Sequence, residues 1–196
     1  WTVAERTLAI CHYLSSVLDD GPDFQIGDGR YTDYLDGSRD IVTLEVHDLG
    51  EMEGDFWQIR HLSGYAAEAI ERLHGELPNI SGRLHWIIGA MAAQLIRKGE
   101  ELPAKIEEDW LLERMRIFAQ YPESDFIKLS FLYQAGTEKL HHLFHIGFDD
   151  KGVLVLPTTD GDKEGAELLP PARFLVRSLI SGFAQRMGGE LGGPGG

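Results

Sequence analysis

The feature that most constrains the fold is a run of helix-like segments enclosed between two stretches of strand-like alternation. Apolar residues recur at helical spacing from residue 63 to 121, whereas every second residue is apolar over 41–47 and again over much of 127–156. Helical patterns also occur near each end, over 3–18 and 171–187. This order predicts an α+β fold, with one antiparallel sheet of about five short strands and about five helices packed mainly on one face.

Local signals place the element boundaries. Thr2 and Glu5 form a capping box that begins the first helix, and Pro103 is a typical first-turn residue for a later one. Strands are expected over 127–133 and 140–148, and the sequence Asp-Asp-Lys-Gly at 149–152 predicts a tight hairpin turn. We expect residues 1–187 to form a single α+β domain and the Gly-rich residues 188–196 to form a flexible tail.

Composition indicates the kind of environment in which such a chain works. It is 43% hydrophobic and 26% charged, as is usual for a soluble globular protein, and no apolar run approaches the roughly 18 residues of a membrane helix. A single cysteine, Cys11, excludes an intramolecular disulfide and favours a reducing compartment. The sequence therefore predicts a soluble, cytoplasmic, intracellular protein.

The negative charge is concentrated in the first quarter of the chain. Residues 1–55 hold thirteen acidic and three basic side chains, so they carry −10 of the total −14. Such a field repels nucleic acid and anionic membranes and attracts a basic protein surface. Four of these carboxylates fall in a turn-rich loop and are predicted to bind such a partner: Asp28, Asp33, Asp36 and Asp40.

Three histidines lie close together in the second half of the chain. Zinc could bind His141, His142 and His145 if their rings converged. On a strand they do not, because His142 faces the apolar side and the other two lie about 13 Å apart on the opposite face. We therefore predict no metal or cofactor here, and expect His141 and His145 to face solvent or a partner protein.

Other motifs are incomplete. Two Glu-x-x-His pairs, Glu71/His74 and Glu138/His141, match the density expected by chance, and 160–165 copies only half of a calcium-binding loop. No nucleophile elbow or phosphate-binding loop is present.

These absences favour a non-catalytic, acidic protein-binding or assembly module of the adaptor, chaperone, immunity-protein or inhibitor type, for which a homo-oligomer is possible. Two alternatives stay open. One is a metal-dependent enzyme that uses His141 and His145 with carboxylates from elsewhere. The other is a small-molecule binding or sensing domain, which needs an enclosed apolar pocket between sheet and helices.

Overall fold

The computed structural model describes residues 1–101, 103, 105–158 and 169–173. Within these residues the fold is mixed α+β, with five α-helices and seven short strands. In chain order the elements are α1 (Val3–Val17), β1 (Gln25–Ile26), β2 (Gly29–Arg30), β3 (Val46–Met52), β4 (Asp55–Arg60), α2 (Gly64–Arg72), α3 (Gly82–Gln94), β5 (Leu95–Arg97), α4 (Glu108–Ala119), α5 (Glu123–Lys139), β6 (His145–Asp149) and β7 (Gly152–Leu156).

The strands form three small antiparallel sheets, so the prediction of one sheet of about five strands is wrong. Strands β3, β4 and β5 pair in that order, while β1 pairs with β2 and β6 pairs with β7. The separation follows from α5, which occupies the stretch that the alternation pattern assigned to a central strand. Without that strand, no strand in the described residues pairs the β6–β7 hairpin with the three-stranded sheet.

Helix α5 shows why alternation misled the prediction. Its buried residues are Leu129, Tyr133 and Gly136, which have the i, i+4, i+7 spacing of a helix. Two apolar residues that completed the alternating pattern, Ile127 and Phe131, are instead 45% and 69% exposed. Close packing also favours the helix, because a Cβ added to Gly136 would lie 2.8 Å from the side chain of Ile59 on β4.

The other helices follow the sequence signals more closely. The capping box is present, since the Glu5 amide donates to Thr2 Oγ1 (3.1 Å) and the Thr2 amide donates to the Glu5 carboxylate (2.7 Å). The helical spacing predicted between residues 63 and 121 is interrupted after α3, because Leu95–Arg97 form the strand β5. Helix α4 begins at Glu108 rather than at Pro103.

Two groups of buried residues hold the fold together. The larger joins the three-stranded sheet to helices α2–α5. The smaller joins α1, the acidic loop (residues 21–40) and the β6–β7 hairpin, and it includes Cys11, Phe24, Tyr31, Tyr34, Leu143, Phe144 and Val155. The second group matters for function, because it seats the acidic loop beside the histidine-rich segment that follows α5.

Only a small part of the C-terminal region for which predictions were made lies within the described residues. The helix expected over 171–187 is wrong for residues 171–173, where the chain is not helical and Ala172 pairs with Val155 in an antiparallel bridge. Residues 174–187, the tail over 188–196 and the loop over 160–165 lie outside the described residues. No helix in the described part of the chain is long and apolar enough to cross a membrane.

Candidate metal centre

Three of the predicted site residues meet at one place. His141 Nε2 lies 2.9 Å from Asp36 Oδ2, although 105 residues separate the two. The rings of His141 and His145 stack with their centroids 3.6 Å apart and their planes within 13°. One potential ligand atom from each of Asp36, His141 and His145 lies within 4.8 Å of the other two.

This convergence contradicts the expected strand geometry. His141 follows the end of α5 and His145 begins β6, so the two histidines do not share a strand. Between them the chain reverses in a three-residue turn, in which the Phe144 amide donates to the His142 carbonyl at 2.6 Å. The predicted separation of about 13 Å is therefore wrong, and so is the expected exposure of His141, whose side chain is only 5% exposed.

The turn is strained. Leu143 at its centre has φ 60°, a value that costs a residue with a side chain about 1–2 kcal/mol. The surroundings impose it, because Leu143 is buried and both of its peptide groups are bonded to the acidic loop. Its amide donates to the Arg39 carbonyl at 2.9 Å, and its carbonyl accepts from the Asp36 amide at 2.7 Å. These bonds fix Asp36 against the histidines.

The Asp36 carboxylate is oriented by its own loop. It caps the short 3₁₀ turn Gly37–Arg39, with Oδ1 accepting from the amide and the hydroxyl of Ser38 at 3.0 and 2.5 Å. The Ser38 hydroxyl, and then the His141 ring, hold the pKa of Asp36 below its usual value. An ionised carboxylate thus presents Oδ2 to His141.

His141 is uncharged, as a metal ligand must be, but its ring proton lies on the nitrogen that faces Asp36. Burial lowers its pKa, and the neighbouring His145 lowers it further, against the opposing effect of Asp36. The ring is therefore neutral near pH 7, and in the structure Nε2–H donates to Asp36 Oδ2. Binding an ion would require that proton to leave Nε2.

One distance in the cluster is close to that between two ligands of a transition-metal ion. Bonds of about 2.1 Å at angles between those of an octahedron and a tetrahedron place two ligand atoms about 3.0–3.4 Å apart, close to the 2.9 Å between His141 and Asp36. The lone pair of a ring nitrogen lies in the plane of its ring, and the planes of His141 and His145 are stacked and nearly parallel, so His145 must rotate to reach an ion that lies in the plane of His141. Its side chain is 31% exposed, which leaves room for that rotation.

A further carboxylate stands beside this set. The Glu138 carboxylate lies 4.0 Å from His145 Nδ1, so the second Glu-x-x-His pair of the sequence, Glu138/His141, borders the centre. The first pair is elsewhere, at the end of α2, where the His74 ring contacts His85. The di-iron arrangement of two such pairs is therefore absent from the described residues.

The remaining predicted residues do not join the cluster through their side chains. Asp33 Oδ2 accepts from the Arg30 amide at 2.7 Å and caps a 3₁₀ turn. Asp40 contributes its backbone carbonyl, to which His142 Nε2 donates at 3.2 Å. Asp28 is exposed and makes no hydrogen bond or ion pair within the described part of the chain.

A cavity of about 90 Å³ opens next to the cluster. Its walls include residues that sequence reasoning did not assign to a site, namely His61, Gln94, Tyr133 and the buried His142. His142 was expected to face the apolar side, and it does lie in the interior. No sequence signal linked it to His61, which comes from the end of β4 and whose ring lies 6.4 Å from that of His142.

Comparisons with known proteins add no functional information. No protein-family model matches the chain, and neither the curated proteins nor the solved structures give a match.

Proposed function

We propose that the protein binds a divalent first-row transition-metal ion through Asp36, His141 and His145 and uses it as a catalytic centre. The observation that carries the proposal is the meeting of Asp36 and His141 at 2.9 Å across 105 residues, with a ring nitrogen of His145 within 4.8 Å of both ligand atoms. This proposal replaces the non-catalytic module as the function that the geometry supports best.

The ligand types favour a catalytic rather than a structural site. Structural zinc sites use four protein ligands and are rich in cysteine, whereas two histidines and one carboxylate leave coordination positions open. The single cysteine does not compete for this role, because Cys11 is fully buried in the smaller core and its burial raises its pKa to about 12. A bound divalent ion supplies Lewis acidity and lowers the pKa of a bound water.

Other residues of the site have roles that follow from their positions. Ser38 orients the Asp36 carboxylate through two hydrogen bonds. Glu138 is 64% exposed, lines the cavity and lies beside His145, which suits it to accept a proton from a group held in the cavity. The strained turn at Leu143 reverses the chain between His141 and His145, and the two rings stack on each other.

Metal binding is tested by calorimetric titration of the metal-free protein with Zn²⁺, Mn²⁺ and Fe²⁺. We expect one ion per chain, and losses of affinity of at least about 100-fold in Asp36→Asn, His141→Ala and His145→Ala. The matched controls are His12→Ala and Asp28→Asn, which remove an exposed ligand type elsewhere and should bind as the wild type does. Unchanged affinity in all three site variants would refute the proposal.

A second candidate function rests on the segregated charge. We propose that residues 1–55, which carry −10, attract a basic protein partner. Support comes from Asp19, Asp20 and Asp28, whose carboxylates make no hydrogen bond or ion pair within the described residues and are exposed to such a partner.

The structure also decides which variants test this second function. Changing Asp33 or Asp36 would disturb turns and the metal centre, so Asp19, Asp20 and Asp28 should be changed to Asn together. We expect a slower association with the partner, most marked at low salt. The control removes the same charge elsewhere, by Glu71→Gln, Glu76→Gln and Glu101→Gln. Equal effects of the two triple changes would refute a specific role for the acidic region.

A further inference from the structure

The three-stranded sheet has one closed edge and one open edge. At the β5 edge, the Leu95 amide donates to the Met91 carbonyl, and the Leu95 carbonyl accepts from Arg114 Nη2 at 2.5 Å. The Arg97 amide donates to the Glu100 carboxylate, and the Arg97 carbonyl accepts from the Glu100 amide, both at 2.9 Å. At the opposite edge, no group outside β4 bonds to the β3 backbone within the described residues.

The register shows which residues of β3 present the open edge. The Lys98 amide donates to the Phe56 carbonyl at 2.8 Å, so Phe56 directs its backbone groups toward β5 and away from β3. Because bonding alternates along an antiparallel strand, every second residue of β4 does the same. The β3 partners of these β4 residues therefore direct their amides and carbonyls outward: Val46, Asp48 and Glu51.

These outward residues are accessible. Val46 is 42% exposed, and Asp48 and Glu51 are exposed as well. Helix α5 packs on a face of the sheet, against Leu49 and Ile59, rather than along this edge. The open edge can therefore pair with an added strand, in the way that exposed sheet edges bind extended peptides.

The charge along the open edge selects one kind of strand. Glu45, Asp48 and Glu51 are exposed and form no ion pair in the described part of the chain, and residues 40–59 contain no Lys or Arg. Arg60, which pairs with β3 at its start, directs its guanidinium to a carbonyl of α3 (3.0 Å). A second copy of this chain would bring like charges together across the new pairing, whereas a strand with Lys or Arg would bring opposite charges.

We infer that the β3 edge binds an extended basic segment of a partner protein as a fourth strand of this sheet. Hydrogen bonds to the backbone of Val46, Asp48 and Glu51 supply affinity, and basic residues at alternate positions of the segment meet the acidic side chains. The inference rests on the second proposed function, because it names where the basic partner docks. It does not involve the proposed metal ligands.

The test titrates the full chain with three eight-residue peptides in a calorimeter. The first alternates Lys and Val, the second is the same peptide with N-methyl groups on two adjacent central amides, and the third alternates Glu and Val. The N-methyl groups keep the charge but block both edges of the peptide strand, so we expect binding at least about fivefold weaker than that of the first peptide. The Glu peptide should bind at least about tenfold more weakly.

The outcomes separate this inference from the function on which it rests. Equal binding of the two Lys peptides would overturn the inference and leave the attraction of a basic partner intact. If neither Lys peptide bound more tightly than the Glu peptide, both would fail.

Hydrogen exchange of the backbone amides locates the bound peptide. With the Lys–Val peptide at saturation, the amides of Val46, Asp48 and Glu51 should exchange more slowly, whereas that of His47, which already faces β4, should not change. Unchanged exchange at all three outward amides would overturn the inference.

A pair of double variants tests the charge. Asp48→Asn with Glu51→Gln should weaken the Lys–Val peptide about threefold or more, and Asn keeps a side-chain oxygen for the Gln58 amide that now donates to Asp48 at 2.6 Å. The matched control, Glu71→Gln with Glu76→Gln, removes the same charge from exposed positions elsewhere and should bind as the wild type does. Equal weakening by the two double changes would overturn a specific role for this edge.

Discussion

The backbone strain at Leu143 predicts that Gly replaces this residue at least as well as Ala does, which is the reverse of the usual order of stability. At most positions Ala is favoured over Gly by about 0.5–1 kcal/mol, because Gly gains more freedom on unfolding. Leu143 has φ 60°, which costs Ala about 1–2 kcal/mol and Gly nothing. The strain is equal to or larger than the usual preference for Ala. We therefore expect the free energy of unfolding of Leu143→Gly to equal that of Leu143→Ala or to exceed it, by up to about 1.5 kcal/mol.

The loss of the buried side chain does not affect this comparison. Leu143 is 4% exposed, so both variants lose nearly all of its packing, a cost of about 2–5 kcal/mol relative to the wild type. The control is the same pair of changes at Leu44, which is 42% exposed and has no positive φ. There, Ala should be the more stable by about 0.5–1 kcal/mol.

The assay is urea unfolding of the four variants, and the quantity is the Ala-minus-Gly difference in free energy of unfolding at each position. We expect the two differences to be separated by about 1–2 kcal/mol, which is the strain. An equal preference for Ala at both positions would show that the turn is unstrained, and would remove the argument that it is imposed by the acidic loop.

Three further predictions concern buried groups. Cys11 is 0% exposed, and burial raises its pKa to about 12. A thiol reagent at mildly alkaline pH should therefore modify Cys11 only in denaturant, and rapid labelling of the native protein would contradict this. Burial also lowers the pKa of His85, with His74 adding to the effect, so protonation favours the unfolded state and stability should fall as pH drops below about 6.5. Urea unfolding should show less of this loss in His85→Gln, and an identical pH dependence in both proteins would argue against it. Tyr133→Phe leaves Gln94 Oε1 without its donor, and should lower the free energy of unfolding by about 1–3 kcal/mol in the same assay; no change would indicate that the bond does not form.

Short-range patterns predicted much of the local structure. The capping box at Thr2 and Glu5 marks the start of α1, and the hairpin signal at 149–152 matches the β6–β7 turn, where Gly152 has φ 123°. Such signals work because the physical cause lies within a few residues of the effect: a cap satisfies amides one turn away, and a glycine relieves a local clash.

The stretch over 127–133 could not be assigned in this way. Both a strand and a helix can be drawn through its apolar residues, since Leu129 and Tyr133 belong to the alternating pattern and to the helical stripe alike. The choice is made by tertiary packing, in which Gly136 lets α5 approach Ile59. That partner lies 77 positions away in the chain, and nothing near Gly136 in the sequence indicates it.

The candidate site could be predicted only in part from the sequence, for the same reason. The residue types were identified, since Asp36, His141 and His145 all stood out as candidates, but their meeting depends on how the acidic loop docks beside Leu143. That docking involves pairs about a hundred residues apart, and one misplaced strand was enough to separate the histidines. The residue types of the site could therefore be predicted from the sequence, whereas their meeting in space could not.

The central claim is that one ion binds Asp36, His141 and His145 together. The most direct measurement is an anomalous-scattering map of crystals grown with Zn²⁺. The account predicts one peak bonded at about 2.0–2.2 Å to Asp36 Oδ2, to His141 Nε2 and to a ring nitrogen of a rotated His145. A zinc-saturated protein without a peak at these three residues, or with its peak at Glu71 and His74 instead, would contradict it.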